Sequence, residues 1–181
     1  ISLNVIQNNN WHTGIYSQKP TGSLGNKVLF QQMSLVFPGN NEFYYFDNKI
    51  IDRAFDMVSG AENVEGVNHT YLHPVWAYPL NYRYQPDVNG AFYFRRNDLG
   101  IERNADREGD YSWVYFSLDS EQMDKDLYVL GGFNEFVPSE ENRMRYDAER
   151  KQYVAKIYLK QGFYNYILAT KAPDGFVNYG D

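Results

Sequence analysis

Imidazole side chains are the first residues in this chain that could bind a metal ion or transfer a proton near neutral pH. The three histidines are His12, His69 and His73. His69 and His73 are four residues apart, but the segment around them alternates as a strand, where that spacing corresponds to about 13 Å. One ion cannot bind both rings, and a chain without cysteine offers no thiolate ligand. The sequence therefore predicts no metal site.

Carboxylates could act as an acid–base pair, as they do in glycoside hydrolases. Asp47, Asp52 and Asp56 are close in sequence, but closeness in sequence does not place two carboxylates in one cleft. The chain has no Gly-x-Ser-x-Gly segment of the kind that exposes a nucleophilic serine. We therefore expect a protein that is not an enzyme, with no catalytic residue and no cofactor.

Aromatic side chains are the best candidates for a binding surface. In the segment from Tyr111 to Phe116, strict alternation would turn Val114 and Phe116 to a core and leave Tyr111, Trp113 and Tyr115 on the opposite face. Another sheet or a linker could cover these three rings. Alternatively, they could contact a partner protein or a sugar, because tyrosine and tryptophan dominate binding hot spots. We predict that Tyr111, Trp113 and Tyr115 form a partner-binding patch.

These rings need a β-sheet to position them, and the composition favours one. Aromatic residues make up 18% of the chain, with Tyr 17 and Phe 12, and such residues suit a pleated, half-buried surface. Alternating apolar residues recur at strand length throughout. The predicted strands are Leu3–Gln7, Lys27–Val36, Glu42–Asp47, Val67–Leu72, Ala91–Arg96, Ser112–Leu118, Leu127–Gly131, Arg143–Asp147, Gln152–Leu159 and Tyr164–Thr170.

Turn residues separate the predicted strands. Asn89-Gly90, between Tyr82–Tyr84 and Phe92–Phe94, is a strong hairpin signal because both residues tolerate positive φ. Helix signals are weak by comparison. Ser139–Asn142 could form one turn with Ser139 as its N-cap, and residues 52–60 are the other possibility. The sequence thus predicts an all-β fold.

Charge and hydropathy exclude several classes of function. The net charge is -6, and the acidic residues are scattered, which argues against a phosphate backbone as partner. No apolar run approaches the ~18 residues of a membrane-spanning helix. We therefore expect no nucleic-acid partner and no membrane span in this chain.

A weak boundary is predicted where apolar residues thin out between Asn97 and Asp110 and charges crowd together. We place one β-sandwich on each side of it. The expected domains are an N-terminal β-sandwich over residues 1–105 and an immunoglobulin-like β-sandwich over residues 106–181.

The C-terminal half resembles the early-set immunoglobulin-like domains of glycogen- and starch-acting enzymes. The resemblance rests on Val129-x-Gly131-x-Phe133-Asn134, followed by Leu159-x-x-Gly162-x-Tyr164-x-Tyr166. A tryptophan commonly follows the Phe-Asn pair in those families, and this chain has Phe136 at that place. The resemblance implies two tandem early-set sandwiches and makes a carbohydrate ligand possible.

A longer resemblance covers almost the whole chain in collinear order. The segments Asp110–Leu118, Gly132-Phe133-Asn134 and Leu159–Tyr166 resemble the plug protein family of the Bacteroidota type IX secretion system. Further similar segments lie upstream, and they are Val5–Trp11, Gly39–Phe43 and Asp87–Phe92.

This second resemblance implies a specific assembly. Members of the plug family are thought to close the periplasmic mouth of a large outer-membrane translocon barrel when no cargo passes. It implies that the chain is the middle part of an exported protein, and that it is a periplasmic module associated with the outer membrane. The alternatives are a carbohydrate-binding module that stacks glucan on exposed rings, or an accessory domain of a glycan-processing enzyme.

Overall fold

The alternating segments form strands throughout the part of the chain that the computed structural model describes, which is residues 1–7, 10–30, 35–37, 43–75, 87–172 and 175–178. One short α-helix, α1, covers Ala105–Glu108, and a 3-10 turn covers Gly132–Asn134. The strands are β1 Leu3–Gln7, β2 Asn10–Gln18, β3 Gly22–Leu24, β4 Lys27–Leu29, β5 Tyr44–Asp47, β6 Val58–Val64, β7 Val67–Leu72, β8 Phe92–Phe94, β9 Arg96–Asp98, β10 Ile101–Arg103, β11 Tyr111–Asp119, β12 Leu127–Leu130, β13 Arg145–Asp147, β14 Gln152–Lys160, β15 Gly162–Ala172 and β16 Gly175–Asn178.

Sheet A has five strands in the order β13-β14-β11-β7-β6. Its centre is β11, which pairs antiparallel with β14 from Tyr111↔Lys160 to Asp119↔Gln152 and parallel with β7. Along β11 the even-numbered residues from Ser112 to Leu118 are buried and the odd-numbered ones are not. This period of two gives sheet A one core face and one outer face.

Sheet B is organised around β15, which spans eleven residues. The first half of β15 pairs with β5 and β8, and its second half pairs with β12 and β16. Since β15 is apolar at nearly every position from Phe163 to Ala169, it is suited to this central, two-sided place in a sheet.

The core lies between sheets A and B. Phe46 of β5 stacks on Tyr164 of β15 with ring centroids 5.0 Å apart, and Phe116 of β11 meets Phe46 edge-on at 5.7 Å. The predicted core residues of β11 are confirmed, since Val114, Phe116 and Leu118 are at most 1% exposed. Those predicted for β14 are confirmed for Tyr153, Ala155 and Leu159, with Ile157 partly buried.

The all-β sandwich class is confirmed, but the predicted division at residues 105/106 is wrong. Strands before that point enter the same two sheets as strands after it, because β7 pairs with β11 and both β5 and β8 pair with β15. The charged segment between Asn97 and Asp110 is a β9–β10 hairpin followed by α1. It connects two strands of one sandwich and does not separate two domains.

The β1–β2 and β3–β4 pairs each form a two-stranded sheet of their own.

The turn predicted at Asn89-Gly90 has positive φ at both residues, 54° and 77°, although Tyr82–Tyr84 lies outside the described residues. Ser139–Asn142 is a turn and residues 52–60 contain the start of β6, so neither proposed helix forms. None of the helices among the described residues has the length and apolar character needed to cross a membrane.

Buried polar side chains join the segments at the start of β15. The Gln161 side chain accepts a hydrogen bond from the Asp110 N–H at 3.0 Å and donates one to the Lys49 carbonyl at 2.9 Å. The Asn48 carboxamide oxygen accepts from the Gly162 N–H at 2.8 Å. Both side chains are at most 1% exposed, so these bonds fix β5, β11 and β15 relative to one another.

Candidate binding face

The outer face of sheet A carries the three aromatic residues that the sequence singled out. Because side chains alternate along β11, Tyr111, Trp113 and Tyr115 all project away from the core. Tyr111 is 48% exposed, and Trp113 and Tyr115 are half-buried. Their neighbours on β7 and β14 account for this partial burial, and the partner-binding role of the three residues stays a prediction.

One group of rings lies between β11 and β14. Tyr158 of β14, which is 52% exposed, has its ring centroid 5.3 Å from that of Tyr111 and 5.0 Å from that of Trp113. The Lys156 ammonium lies 5.0 Å from the centre of the Trp113 ring, a cation–π contact. These contacts hold the rings in place while leaving part of each one accessible.

A second group lies between β11 and β7. The rings of Tyr115 and Tyr71 are stacked with centroids 4.7 Å apart, and the Tyr115 hydroxyl is 3.0 Å from Nδ1 of His69. The Tyr71 hydroxyl donates a hydrogen bond to the Glu62 carboxylate at 2.7 Å, which raises the pKa of Tyr71 to about 12. We call the five residues Tyr71, Tyr111, Trp113, Tyr115 and Tyr158 the aromatic face.

Four of the five residues of the aromatic face, Tyr71, Trp113, Tyr115 and Tyr158, form the floor of a broad groove of about 1200 Å³. Strand β13 and the turn before it form the charged side of this groove. The charged residues that line the groove are Glu140, Glu141, Arg143, Arg145, Asp147, Arg150 and Lys156. Apolar floors with a few polar groups at the edge are typical of ligand sites in proteins.

The arginines along the groove are in ion pairs. Arg143 contacts Asp126 at 2.6 Å and Glu140 at 3.2 Å, and Arg145 contacts Glu140 at 3.4 Å. Such exposed pairs contribute little to stability. They do leave the groove without a strong field of either sign, so it does not select for a highly charged ligand.

The carboxylates considered for catalysis have separate structural partners. Asp47 is 5% exposed and pairs with Arg95 at 2.9 Å. Burial raises its pKa, which the Lys49 N–H and the Arg95 charge oppose. Asp52 is paired with Arg53 and Asp56 accepts a bond from Tyr45. Within the described ranges, no three His, Cys, Asp or Glu side chains gather closely enough to hold a metal ion.

Sequence reasoning missed two members of the aromatic face. Tyr158 and Tyr71 are not in the predicted patch, yet the ring of Tyr158 contacts two rings of the patch, those of Tyr111 and Trp113. The alternation of β14 gives the correct face for Tyr158, but the Trp113↔Tyr158 pairing depends on the register of two distant segments. Tyr71 comes from the parallel pairing of β7 with β11, which no local pattern indicates.

Comparison with known proteins gives a similarity to a solved structure. No protein-family model matches the chain, and no curated protein matches it. Among solved structures, the chain is similar to a hypothetical protein from Parabacteroides merdae ATCC 43184, with a TM-score of 0.75 and 25% sequence identity. The alignment covers 94% of this chain and 44% of that protein. This chain therefore spans less than half the length of the protein it matches.

Proposed function

We propose that this chain is a non-catalytic binding module of a translocon-associated protein that plugs the periplasmic side of an outer-membrane secretion channel. The ordered resemblance from Val5–Trp11 to Leu159–Tyr166 supports the assembly. The sandwich supports the binding role, because it presents a broad surface on rigid strands rather than a cleft with convergent acid–base groups. In this proposal the module works by occlusion and protein–protein contact.

The observation that carries the proposal is the partial exposure of the aromatic face, four of whose five rings line an open groove. Large rings on a soluble sandwich are normally turned into a core, and exposed apolar patches rimmed by polar residues mark interaction sites. Tyrosine and tryptophan supply much contact area at low entropic cost because their side chains have few rotatable bonds. The rings here are also held by neighbouring strands, which reduces that cost further.

Site-specific photo-crosslinking tests the proposal. A photoreactive phenylalanine in place of Tyr158 reports on the groove, and the same group in place of Tyr93, which is 45% exposed on sheet B, is the matched control. We expect cells of a Bacteroidota host to yield a crosslink from position 158 to the translocon barrel, and a much weaker one from position 93. Equal crosslinking at the two positions, or none to the barrel, would contradict the proposal.

A carbohydrate ligand is the second candidate, and the groove itself favours it. Pyranose rings stack their C–H faces on aromatic side chains, and Tyr158 and Trp113 lie in contact along the groove, with Tyr111 stacked on Tyr158 beside it. The mutual pairing of Arg143, Arg145 and Glu140 suits a neutral, hydroxyl-rich ligand. This candidate uses the same face as the translocon proposal and differs in the partner.

Tryptophan fluorescence separates the two candidates. Titration of the chain with soluble glucans would change the emission of Trp113 with saturation if a sugar stacks there. Trp113→Phe would remove that change, whereas Trp11→Phe, at a 60% exposed position on β2, would keep it. A flat titration curve for the unaltered chain would exclude soluble glucans as ligands and leave the translocon proposal standing.

A further inference from the structure

Within the described residues, sheet A has a second open feature, its edge strand β6, which borders the aromatic face at Tyr71. In the order β13-β14-β11-β7-β6, one edge is the three-residue strand β13 and the other is the seven-residue strand β6. Proteins usually shorten an edge strand or place proline or lysine on it to prevent pairing with other chains. Strand β6 has neither residue, and its bulge lies at its start, between Val58 and Gly60.

The hairpin geometry identifies which backbone groups of β6 face outward. Glu65 and Gly66 form a two-residue turn with φ values of 52° and 85°, so Val64 and Val67 are a hydrogen-bonded pair. Bonded pairs alternate along an antiparallel ladder, which turns the N–H and C=O groups of Ala61 and Asn63 away from β7. Among the described residues, no other strand pairs with these groups.

The side chains beside this edge define the strand that would fit. Gly60, Glu62 and Val64 lie on the outer face of the sheet, as their pairing with Tyr71, His69 and Val67 shows. A Cβ added to Gly60 would meet no atom within 4 Å, so there is room above it for a large side chain next to Tyr71. Val64 is 47% exposed and supplies an apolar contact.

Charge excludes a second copy of this chain as the occupant. Any two-fold antiparallel pairing centred on residues 61–63 would bring two Glu62 carboxylates opposite or diagonal to each other, which is unfavourable. Glu65 and Asp56, both exposed near the ends of β6, add further negative charge. A basic residue opposite Glu62 would instead be favourable.

We propose that β6 is a docking edge for an extended segment of another protein, which adds antiparallel to it as a sixth strand of sheet A. Along one face of that segment, alternate residues would be small and apolar opposite Val64, basic opposite Glu62, and large and apolar opposite Gly60. Backbone bonds to Ala61 and Asn63 would supply affinity, and the three side chains would supply selectivity, as in other strand-addition complexes.

A suitable probe is the heptapeptide Thr-Val-Thr-Arg-Thr-Leu-Thr, which places valine opposite Val64, arginine opposite Glu62 and leucine opposite Gly60. A second peptide with glutamate in place of arginine is its matched control. Titration of the full chain, followed by backbone amide NMR shifts, should show saturable binding of the arginine peptide centred on β6. The glutamate peptide should bind about five-fold more weakly or worse.

Two variants distinguish strand addition from general adhesion. Ala61→Pro removes one outward N–H, which an edge strand tolerates, and should abolish binding while Ala61→Thr preserves it. Glu62→Lys should reverse the preference between the two peptides, and this test remains valid even if the proline variant fails to fold. Three results would each overturn the proposal. The unaltered chain could bind both peptides equally well, the β6 amide signals could show no saturable shift, or sedimentation could show dimers formed through β6. The proposal rests on the outward backbone groups of β6 and does not depend on which partner the aromatic face binds.

Discussion

At the scale of single residues, two ionisable side chains have different surroundings, Tyr71 on the exposed face of sheet A and Asp47 at the buried end of β5. Glu62 and Tyr71 share a hydrogen bond on the exposed face of sheet A. Asp47 is buried at the end of β5 beside Arg95 and Lys49. The two settings shift pKa values for different reasons, and each shift leads to a titration that can be measured.

The pKa of Tyr71 should depend on Glu62. The carboxylate accepts the phenol hydrogen bond and, together with modest burial, raises the Tyr71 pKa to about 12. Glu62→Gln removes the negative charge, so the Tyr71 pKa should fall toward 10, its ordinary value. Titration of the Tyr71 ring carbon signals by NMR measures this change. An unchanged Tyr71 pKa would show that the bond is not formed in solution.

The stability conferred by Asp47 should depend on pH in the acid range. Burial raises its pKa above the ordinary 3.8, so the folded state holds this proton more tightly than the unfolded state does. The tighter binding of this proton adds to the free energy of unfolding. This stabilising contribution is fully present below pH 3.8, and it is lost as pH rises through the folded-state pKa.

The corresponding variant is Asp47→Asn, which cannot titrate. The free energy of unfolding of the unaltered chain, minus that of the variant, should decrease as pH rises from below 3.8 through the raised pKa of folded Asp47. Urea denaturation at several pH values gives this difference directly. An increase over the same range would mean that the Arg95 pair outweighs the cost of burial.

At the scale of elements, several segments of the chain meet at the start of β15. Gln161 and Gly162 contact residues 48–49, the β8 backbone and Asp110. Close backbone approach is essential there, because a Cβ on Gly162 would lie 2.5 Å from the Tyr93 carbonyl oxygen. The Gln-Gly pair in the sequence is therefore explained by packing between strands.

Gly162→Ala should destabilise the fold, by roughly 1–3 kcal/mol, because β8 must move to make room. Gly60→Ala is a suitable control, since its added methyl group meets open space, and we expect a change within about 1 kcal/mol. Thermal or urea unfolding compares the two variants. Equal effects would indicate that the β8–β15 approach is looser than the structure shows.

Local alternation predicts strands well where one face is buried. It gave β7 with correct bounds and located β5, β8, β11, β12, β13, β14 and β15 to within two residues at each end. It also gave the bounds of β1, although no residue of β1 is buried. It missed β6, whose residues Ser59–Asn63 are small or polar, because an edge strand needs little apolar surface. It also missed β2, β3, β9, β10 and β16.

The candidate site was predictable only in part, for the same physical reason. Tyr111, Trp113 and Tyr115 share a face because of alternation within one strand. Their neighbours Tyr71 and Tyr158 come from strands whose pairing with β11 is set by the global fold. The separation of the chain into two domains failed on the same ground, since a charged connecting segment in sequence resembles a linker.

At the scale of the whole molecule, sheets A and B are mutually dependent. Removal of residues 1–105 would take β5 and β8 from β15, and would take β7 from β11 together with β6, which pairs with β7. The remaining strands would then expose core residues such as Val114 and Phe116.

A fragment covering residues 106–181 should therefore fail to fold into a native sandwich. A fragment covering residues 43–181 keeps sheets A and B and is the matched control. Dispersed amide NMR spectra are expected for the longer fragment and collapsed spectra for the shorter one. A well-dispersed spectrum from residues 106–181 alone would show that this half is an independent domain.

Equilibrium binding to the purified translocon barrel tests the central claim, that this module acts through the aromatic face, most directly. Trp113→Ala combined with Tyr158→Ala removes two adjacent rings of the groove, whereas Trp11→Ala removes an exposed ring on β2. We predict that the double variant binds at least about ten-fold more weakly, as expected for loss of a hot spot, and that Trp11→Ala binds like the unaltered chain. Equal affinity of all three proteins, or no binding by the unaltered chain, would contradict this account.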